Sequence, residues 1–296
     1  MSSFLYTMAL ADSYGMKYEF VQHATTAGPA DLVHGSHPEF TEYIKGNYSD
    51  DTQMSLANME LLLTKMTASG KFYITVEDFV RAWLSTFKRD PHPGYSKHMY
   101  RLLADSETAE DFITRLDATG GTTSGAAMRA GVFGVIPEIE QVKHLALLQA
   151  RITHDTPAGT TSALAVALSV HYLHHGGSRQ GLENFLAAQL GAQWRQNGYV
   201  NDMSNGMYIV GQALKALMNA ATLSQVLLHV VNQDETSDTD TVCAIAAVIA
   251  SRSTDWANDL PVALENGLEN GTYGADYLKM IDRSVAAFFS RRALYS

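Results

Sequence analysis

The 296-residue sequence predicts an all-α fold, a compact multi-helix bundle forming one domain over residues 1–296. Three observations predict it. Apolar residues recur at helical spacing, helix-start signals punctuate the chain, and no convincing period-two alternation appears. Behind residues 50 and 51, Met54, Ala57 and Leu61 fall at i, i+3 and i+7. Phe79, Val80, Trp83, Leu84 and Phe87 repeat the pattern, opened by TVED at 75–78. TAED at 108–111 and TLSQ at 222–225 are further capping boxes or near versions of them. The segment at 137–152, PEIEQVKHLALLQARI, carries proline in its first predicted turn. ALAVALSV at 163–170 runs into HYLHHGG at 171–177, whose glycines stand where a C-cap belongs. VCAIAAVIA at 242–250 starts a last apolar helix, and KFYITV at 71–76 is an isolated extended candidate. In all, roughly a dozen helical segments are expected, with no Pro/Gly/Ser-rich linker and no fixed repeat dividing the chain.

Composition narrows the functional classes. With 46% hydrophobic and 18% charged residues, the chain reads as an ordinary globular protein able to bury a sizeable core. A formal charge of −10 argues against a basic face tracking nucleic-acid phosphates, so no nucleic-acid groove is expected. The single cysteine, Cys243, excludes an intramolecular disulfide and suits a reducing compartment. The longest apolar runs are too short to span a bilayer, and the opening MSSFLYTMALADS lacks the basic start of a signal peptide. The expectation is a cytoplasmic protein without a membrane partner.

The chemistry concentrates in two acidic clusters. NYSDDTQM at 47–54 sets Ser49, Asp50 and Asp51 at a predicted helix start. Asp238, Asp240 and Thr241 form a second such start, 187 positions beyond Asp51. Each could be a helix cap, worth about 0.3–1 kcal/mol per acid on the helix dipole. One cap needs only one such residue, however, and both sites oversupply it. Oxygen donors at this density also suit Mg²⁺, Mn²⁺ or Ca²⁺, and a cation would relieve the repulsion between adjacent carboxylates. If the clusters meet in space, they make a two-metal site.

YSDDTQM and SDTDTVCAIA together resemble the ADP-ribosylglycohydrolase family, which includes the dinitrogenase reductase-activating glycohydrolases. MALADSYGMKYEF (8–20), SGAAMRAG (124–131) and THDTPAGTTSALA (153–165) resemble further family blocks in the family's order. The resemblance implies an all-α fold, a binuclear Mg²⁺ or Mn²⁺ centre and hydrolysis of the bond between ADP-ribose and an acceptor. The acceptor would be an ADP-ribosylated protein or a small-molecule ADP-ribose conjugate. It puts the metal ligands on Ser49, Asp50, Asp51, Asp238, Asp240 and Thr241, and the acids of the opening block on Asp12 and Glu19. Glu19, with Asp50 and Asp51 behind it, becomes the candidate base or water-positioning group. Gly120, Gly121, Ser124 and Gly125 fall where the family holds the pyrophosphate and ribose, with His154 near that pocket. Thr236 and Ser237 replace two glycines usual in the family, Ser124 an asparagine, and Ala11 and Ala247 glycines.

Other features are weighed against plainer roles. Arg129 could clamp a phosphate, but its place one turn after the glycines favours a structural role paired with an acid. His171 and His175 have zinc-like spacing, yet no Glu lies between them, which favours a polar helix end. Cys243 reads as a buried structural thiol. Trp194 and Trp256 could cap a surface or stack on adenine. Adjacent aspartates also serve two-metal phosphoesterases, and a non-catalytic ADP-ribose-binding or structural protein on the same fold is the non-enzyme alternative.

Overall fold

The computed structural model describes residues 3–21, 31–65, 72–117, 119–191, 194, 202–232 and 238–292, with side chains to residue 289. Thr236 and Ser237 lie outside the described residues, as does Lys71 of the extended candidate. Among the described residues there are fourteen α-helices and no strand, only the isolated bridges Gly120–His154 and Thr222–Ala257. The fold is all-α. The helices are α1 (Phe4–Gly15), α2 (Asp50–Lys65), α3 (Val76–Arg89), α4 (Lys97–Asp105), α5 (Ala109–Arg115), α6 (Gly125–Met128) and α7 (Ile139–Thr153). They continue with α8 (Pro157–His174), α9 (Leu182–Leu190), α10 (Gly206–Met218), α11 (Leu223–Val231), α12 (Thr239–Ala250), α13 (Val262–Gly267) and α14 (Ala275–Arg292).

Local chemistry explains the starts. Thr75 and Asp78 close the full capping box of α3. At α5, Thr108 caps the Asp111 N–H, but Asp111 reaches past it to the Glu107 N–H, so the box is displaced by one residue. Thr222 caps α11. Pro137 stands two residues before α7 rather than within its first turn, because Glu138 is the N-cap. Proline does occupy the first turn of α8, where Thr156 caps Gly159. The same helix ends at the expected HYLHHGG.

Helices α1 and α12 form the centre, and every residue of both is buried. A helix apolar on all sides can be satisfied only inside a bundle. They pack on each other closely, and α2, α8, α10, α11 and α14 contact one or both. Gly15 shows how close: a Cβ there would lie 2.6 Å from the Asp240 Cα, so this glycine serves an approach between helices. It is also the last residue of α1, after which the chain makes a 3₁₀ turn at Met16–Tyr18 before Glu19. The packing sets the C-terminal end of α1 beside the N-terminal ends of α2 and α12. No helix among the described residues is long and apolar enough to cross a membrane.

Candidate metal centre and active site

Asp12, in the last turn of α1, is fully buried and anchors the start of α2. Its carboxylate accepts the Ser49 N–H at 3.0 and 3.1 Å, the Thr52 N–H at 3.2 Å and the Thr52 hydroxyl at 2.6 Å. A carboxylate satisfied this fully by helix N–H groups stabilises the helix end and fixes its position. Burial nevertheless raises the Asp12 pKa above the ordinary aspartate value. Ser49 closes the cap from within the chain: its hydroxyl accepts the Asp51 N–H at 3.2 Å and donates to Asp51 Oδ2 at 3.3 Å.

The second cluster arrives from α12. The Thr241 hydroxyl donates to Asp51 Oδ2 at 3.0 Å, joining the two acidic starts. Ser124 donates to Asp238 Oδ2 at 2.7 Å, tying the glycine-rich turn to the same place. Ligand oxygens of Glu19, Asp238 and Asp240 lie within 4.8 Å of one another. Asp51 Oδ1, Asp240 Oδ1 and Glu19 Oε2 are buried with no hydrogen-bond partner. Burial first, and then neighbouring acids, hold Asp50, Asp51 and Asp240 well above the usual aspartate range. Glu19 is pushed up to about 8, by burial first and then by Asp238, with the Tyr43 hydroxyl pulling the other way. Buried carboxylate oxygens without donors are costly, and a divalent cation is the partner that suits several at once. The donor set, all oxygen, fits a hard cation.

These acids form one wall of a cavity of about 810 Å³, a volume suited to a nucleotide-sized ligand. Asp50, Asp51, Asp238, Asp240, Thr241 and Glu19 line it. Gly121, Ser124, Gly125 and His154 line another part of the same cavity, while Asp12, Ser49 and Gly120 do not reach it. Gly120 instead bridges the backbone of His154. The Gly121 N–H, expected to face a phosphate, donates to the Thr153 carbonyl at 3.1 Å. A Cβ on Gly121 or Gly125 would come within 2.6 or 2.9 Å of the His154 ring, so these glycines admit the imidazole.

His154 is held between two hydroxyls. Arg129 donates to the Thr153 hydroxyl at 2.8 Å, and that hydroxyl lies 2.8 Å from His154 Nδ1. Nε2 faces the Thr123 hydroxyl at 3.1 Å. Burial, followed by Arg129, lowers the His154 pKa to about 3. Arg129 itself is buried, donates to Gln149 Oε1 at 2.6 Å and lies 4.3 Å over the Trp83 ring. These contacts fit the structural role, with an amide, a hydroxyl and a ring as partners rather than the expected acid, although Arg129 also lines the cavity.

Several lining residues carry no sequence signal of their own. Gly94, at φ +102°, lets the 90–96 loop close over Asp50, where the Pro93 carbonyl accepts the Asp50 N–H at 3.0 Å. The Pro-Gly pair was the available cue. Tyr43, Phe40 and Phe20 line the cavity beside Glu19 from irregular chain. Phe20 takes φ +53°, a strained conformation for a bulky residue. His37 accepts the Glu39 and Phe40 N–H groups at Nδ1, so its Nε2–H donates to the Glu19 carbonyl at 2.7 Å. His171 and His175 both meet the Ile136 carbonyl at the end of α8, as a polar helix end would. Cys243 is fully buried, and Trp194 and Trp256 are buried without lining the cavity.

The sequence profile of the ADP-ribosylglycohydrolase family matches residues 3–292. The chain belongs to this family. It is 24% identical over 267 residues to the ADP-ribosyl-[dinitrogen reductase] glycohydrolase of Rhodospirillum rubrum, covering 86% of this chain and 85% of that protein. To ADP-ribosylhydrolase ARH3 of Homo sapiens it is 28% identical over 151 residues, which is 49% of this chain and 39% of that protein. The mouse protein of the same name matches at 27% over 198 residues, 62% of this chain and 50% of that protein. The matches thus span half or less of the ARH3 relatives' length. A solved ADP-ribosylglycohydrolase-related protein complex shares the fold at a TM-score of 0.71 and 17% identity, covering 96% of this chain and 95% of that one. Within an ADP-ribosylglycohydrolase, the joined acidic clusters occupy the positions of the two blocks that carry the family resemblance.

Proposed function

We propose that this chain, as a single ADP-ribosylglycohydrolase-like domain, hydrolyses the glycosidic bond between ADP-ribose and a protein side chain or small acceptor. The observation that carries the reading is the set of donorless buried carboxylate oxygens on the wall of a nucleotide-sized cavity. The names of its relatives, an ADP-ribosylhydrolase and an ADP-ribosyl glycohydrolase, point to the same bond. In this reading Asp50, Asp51, Asp238, Asp240 and Thr241 hold two divalent cations, Mg²⁺ or Mn²⁺, with Ser49 supporting Asp51 from behind. Bound cations would orient ribose hydroxyls and a water and would offset the local negative charge.

The chain's own residues do the remaining work. Breaking the bond at the ribose anomeric carbon builds positive character on the sugar, which the surrounding carboxylates stabilise. Glu19 faces the cavity; ionised beside bound cations, it would accept the proton of the attacking water, which joins the anomeric carbon as the acceptor departs with the bonding pair. Asp12 keeps the start of α2 in register with α12. His154, neutral and held between the Thr123 and Thr153 hydroxyls, stands where the glycine turn borders the ligand. The fold places the cavity at helix N-termini, whose dipoles favour an anionic diphosphate.

The test is incubation of the purified chain with ADP-ribosylated arginine, serine and other acceptors, with Mg²⁺, with Mn²⁺ and with EDTA. Cation-dependent release of free ADP-ribose is the expected result. Binding without release would leave a non-catalytic ADP-ribose-binding protein, and release of inorganic phosphate would make it a phosphoesterase.

A further inference from the structure

We propose that His37 is a positioning residue for Glu19: it ties the backbone of the candidate base to the aromatic wall of the cavity and so fixes where the carboxyl stands. His37 takes this role on the reading of Glu19 as the base. It does not line the cavity itself and acts through its neighbours.

Glu19 stands in extended backbone beyond the 3₁₀ turn that follows α1. Its N–H reaches the Met16 carbonyl at 3.3 Å, and Phe20 behind it takes φ +53°. Helical hydrogen bonding no longer fixes the chain at this point. A base, however, must be held to within a fraction of an ångström to work well. The His37 ring supplies the tie. Its Nε2 lies 2.7 Å from the Glu19 carbonyl oxygen, and among the described residues no other donor reaches that oxygen.

The other ring nitrogen fixes the direction of this bond. Nδ1 lies 3.0 Å from the Glu39 nitrogen and 2.9 Å from the Phe40 nitrogen, and backbone N–H groups can only donate. Nδ1 is therefore the bare nitrogen, and Nε2 carries the hydrogen given to Glu19. One end of the ring caps the turn that opens residues 39–43, and the other holds the backbone of the base. The ring face is used as well. It stacks on Phe40 at 4.5 Å and meets the Tyr43 ring edge-on at 5.7 Å. Phe40 and Tyr43 line the cavity beside Glu19, as does Phe20, whose ring meets that of Phe40 at 6.4 Å. A turn cap needs only the two Nδ1 contacts. The bond from Nε2 to a residue eighteen positions earlier is surplus to that need, and it ends on the residue that faces the reacting bond.

The experiment measures steady-state release of ADP-ribose by the full chain, with Mg²⁺ or Mn²⁺, from the acceptor that the wild type cleaves. His37→Asn keeps an acceptor near the place of Nδ1 and loses the donor to Glu19; His37→Gln keeps a donor at the reach of Nε2. His37→Asn should lower kcat roughly tenfold with KM within about twofold, as expected of a displaced base. His37→Gln should stay within roughly threefold of wild type. In a Glu19→Gln background, His37→Asn should cost nothing further, because it acts through Glu19. Each variant should keep the cation-induced rise in melting temperature, which shows that it folds. Near-wild-type kcat in His37→Asn, or loss of its cation response, overturns the proposal. So does a larger loss in His37→Gln than in His37→Asn, which leaves a turn cap alone, or an undiminished loss in the Glu19→Gln background. No release by the wild type, or near-wild-type release by Glu19→Gln alone, overturns the reading of Glu19 itself and this role of His37 with it.

Discussion

The Thr241 hydroxyl donates to Asp51 Oδ2 at 3.0 Å, across 190 positions of sequence, and this bond brings two helix starts into one site. Asp51 Oδ1 and Asp240 Oδ1 are both buried without a donor. Two N-caps would have needed neither the crossing bond nor the surplus acids.

Cation-linked stability follows from that surplus. A ligand bound only by the native state stabilises it by roughly 2.7 kcal/mol at a hundredfold excess over Kd. Melting temperature should rise with Mg²⁺ or Mn²⁺, and Asp240→Asn should abolish most of the rise. Identical melts in EDTA and in excess cation would remove the metal centre from the account.

Asp12 should act on stability before it acts on the cavity, because its oxygens face α2 rather than the ligand. Asp12→Asn replaces a four-contact acceptor with a group that has one acceptor oxygen and brings N–H donors against helix N–H groups. The expected loss is about 2–4 kcal/mol in denaturant unfolding with EDTA present, a buried charged acceptor's contribution. Thr52→Val, which removes only the 2.6 Å hydroxyl bond, should cost less. Equal stability of Asp12→Asn and wild type would show that α2 is held by packing alone.

Arg129 is expected to behave as an interior brace. Arg129→Lys cannot reproduce the fork that meets Gln149 and Thr153, nor the planar stacking on Trp83. It should lower melting temperature by several degrees and weaken ADP-ribose binding less, through the loosened Thr153–His154 contact. A large affinity loss at unchanged melting temperature would make Arg129 a ligand contact instead.

His154 gives a pH signature. Its folded pKa of about 3 lies below the ordinary 6.5, so between those values the unfolded chain binds the extra proton. Stability is present above pH 6.5 and is lost as pH falls toward about 3, at up to ~1.4 kcal/mol per pH unit. In His154→Gln the slope of unfolding free energy against pH should be shallower by up to one proton. Parallel slopes in variant and wild type would mean that the ring is accessible to protons in the folded state.

Much of this arrangement is legible in the sequence because it is local. Oxygen donors crowded at a helix start announce themselves through spacing, and so do capping threonines and buried apolar runs such as 242–250. What spacing does not reveal is what lies across a contact. Gly121 and Gly125 read as a phosphate cradle, but their lack of side chains makes room for His154, 29 and more positions away. Gly15 ends α1, and its lack of a side chain also lets Asp240 approach. Tyr43, Phe40 and the Gly94 loop belong to irregular chain, where neither periodicity nor capping chemistry marks which residues face a cavity. Arg129 shows an intermediate case: its burial was foreseeable from position, its partners were not.

Glu19 is the decisive residue for mechanism, and the structure sharpens the question about it. It follows the 3₁₀ turn after α1, with its backbone carbonyl held by His37 and the strained Phe20 immediately behind. Such strain is maintained only where surrounding contacts impose it, commonly at functional positions. Its carboxyl shares a small volume with Asp238 and Asp240, so it could serve as a cation ligand as well as a base. The two roles separate by measurement. Glu19→Gln removes a poorly partnered buried acid with little change in shape, so the apo protein should fold and melt no lower than wild type. Asp50, Asp51, Asp238, Asp240 and Thr241 remain, so the cation-induced rise in melting temperature should persist, as should ADP-ribose binding. Release of ADP-ribose should fall by at least ~10², the usual cost of a positioned base. Loss of the cation response along with turnover would assign Glu19 to the cations. Turnover close to wild type would move the base to Asp50 or Asp51, the other cavity-lining acids at the start of α2.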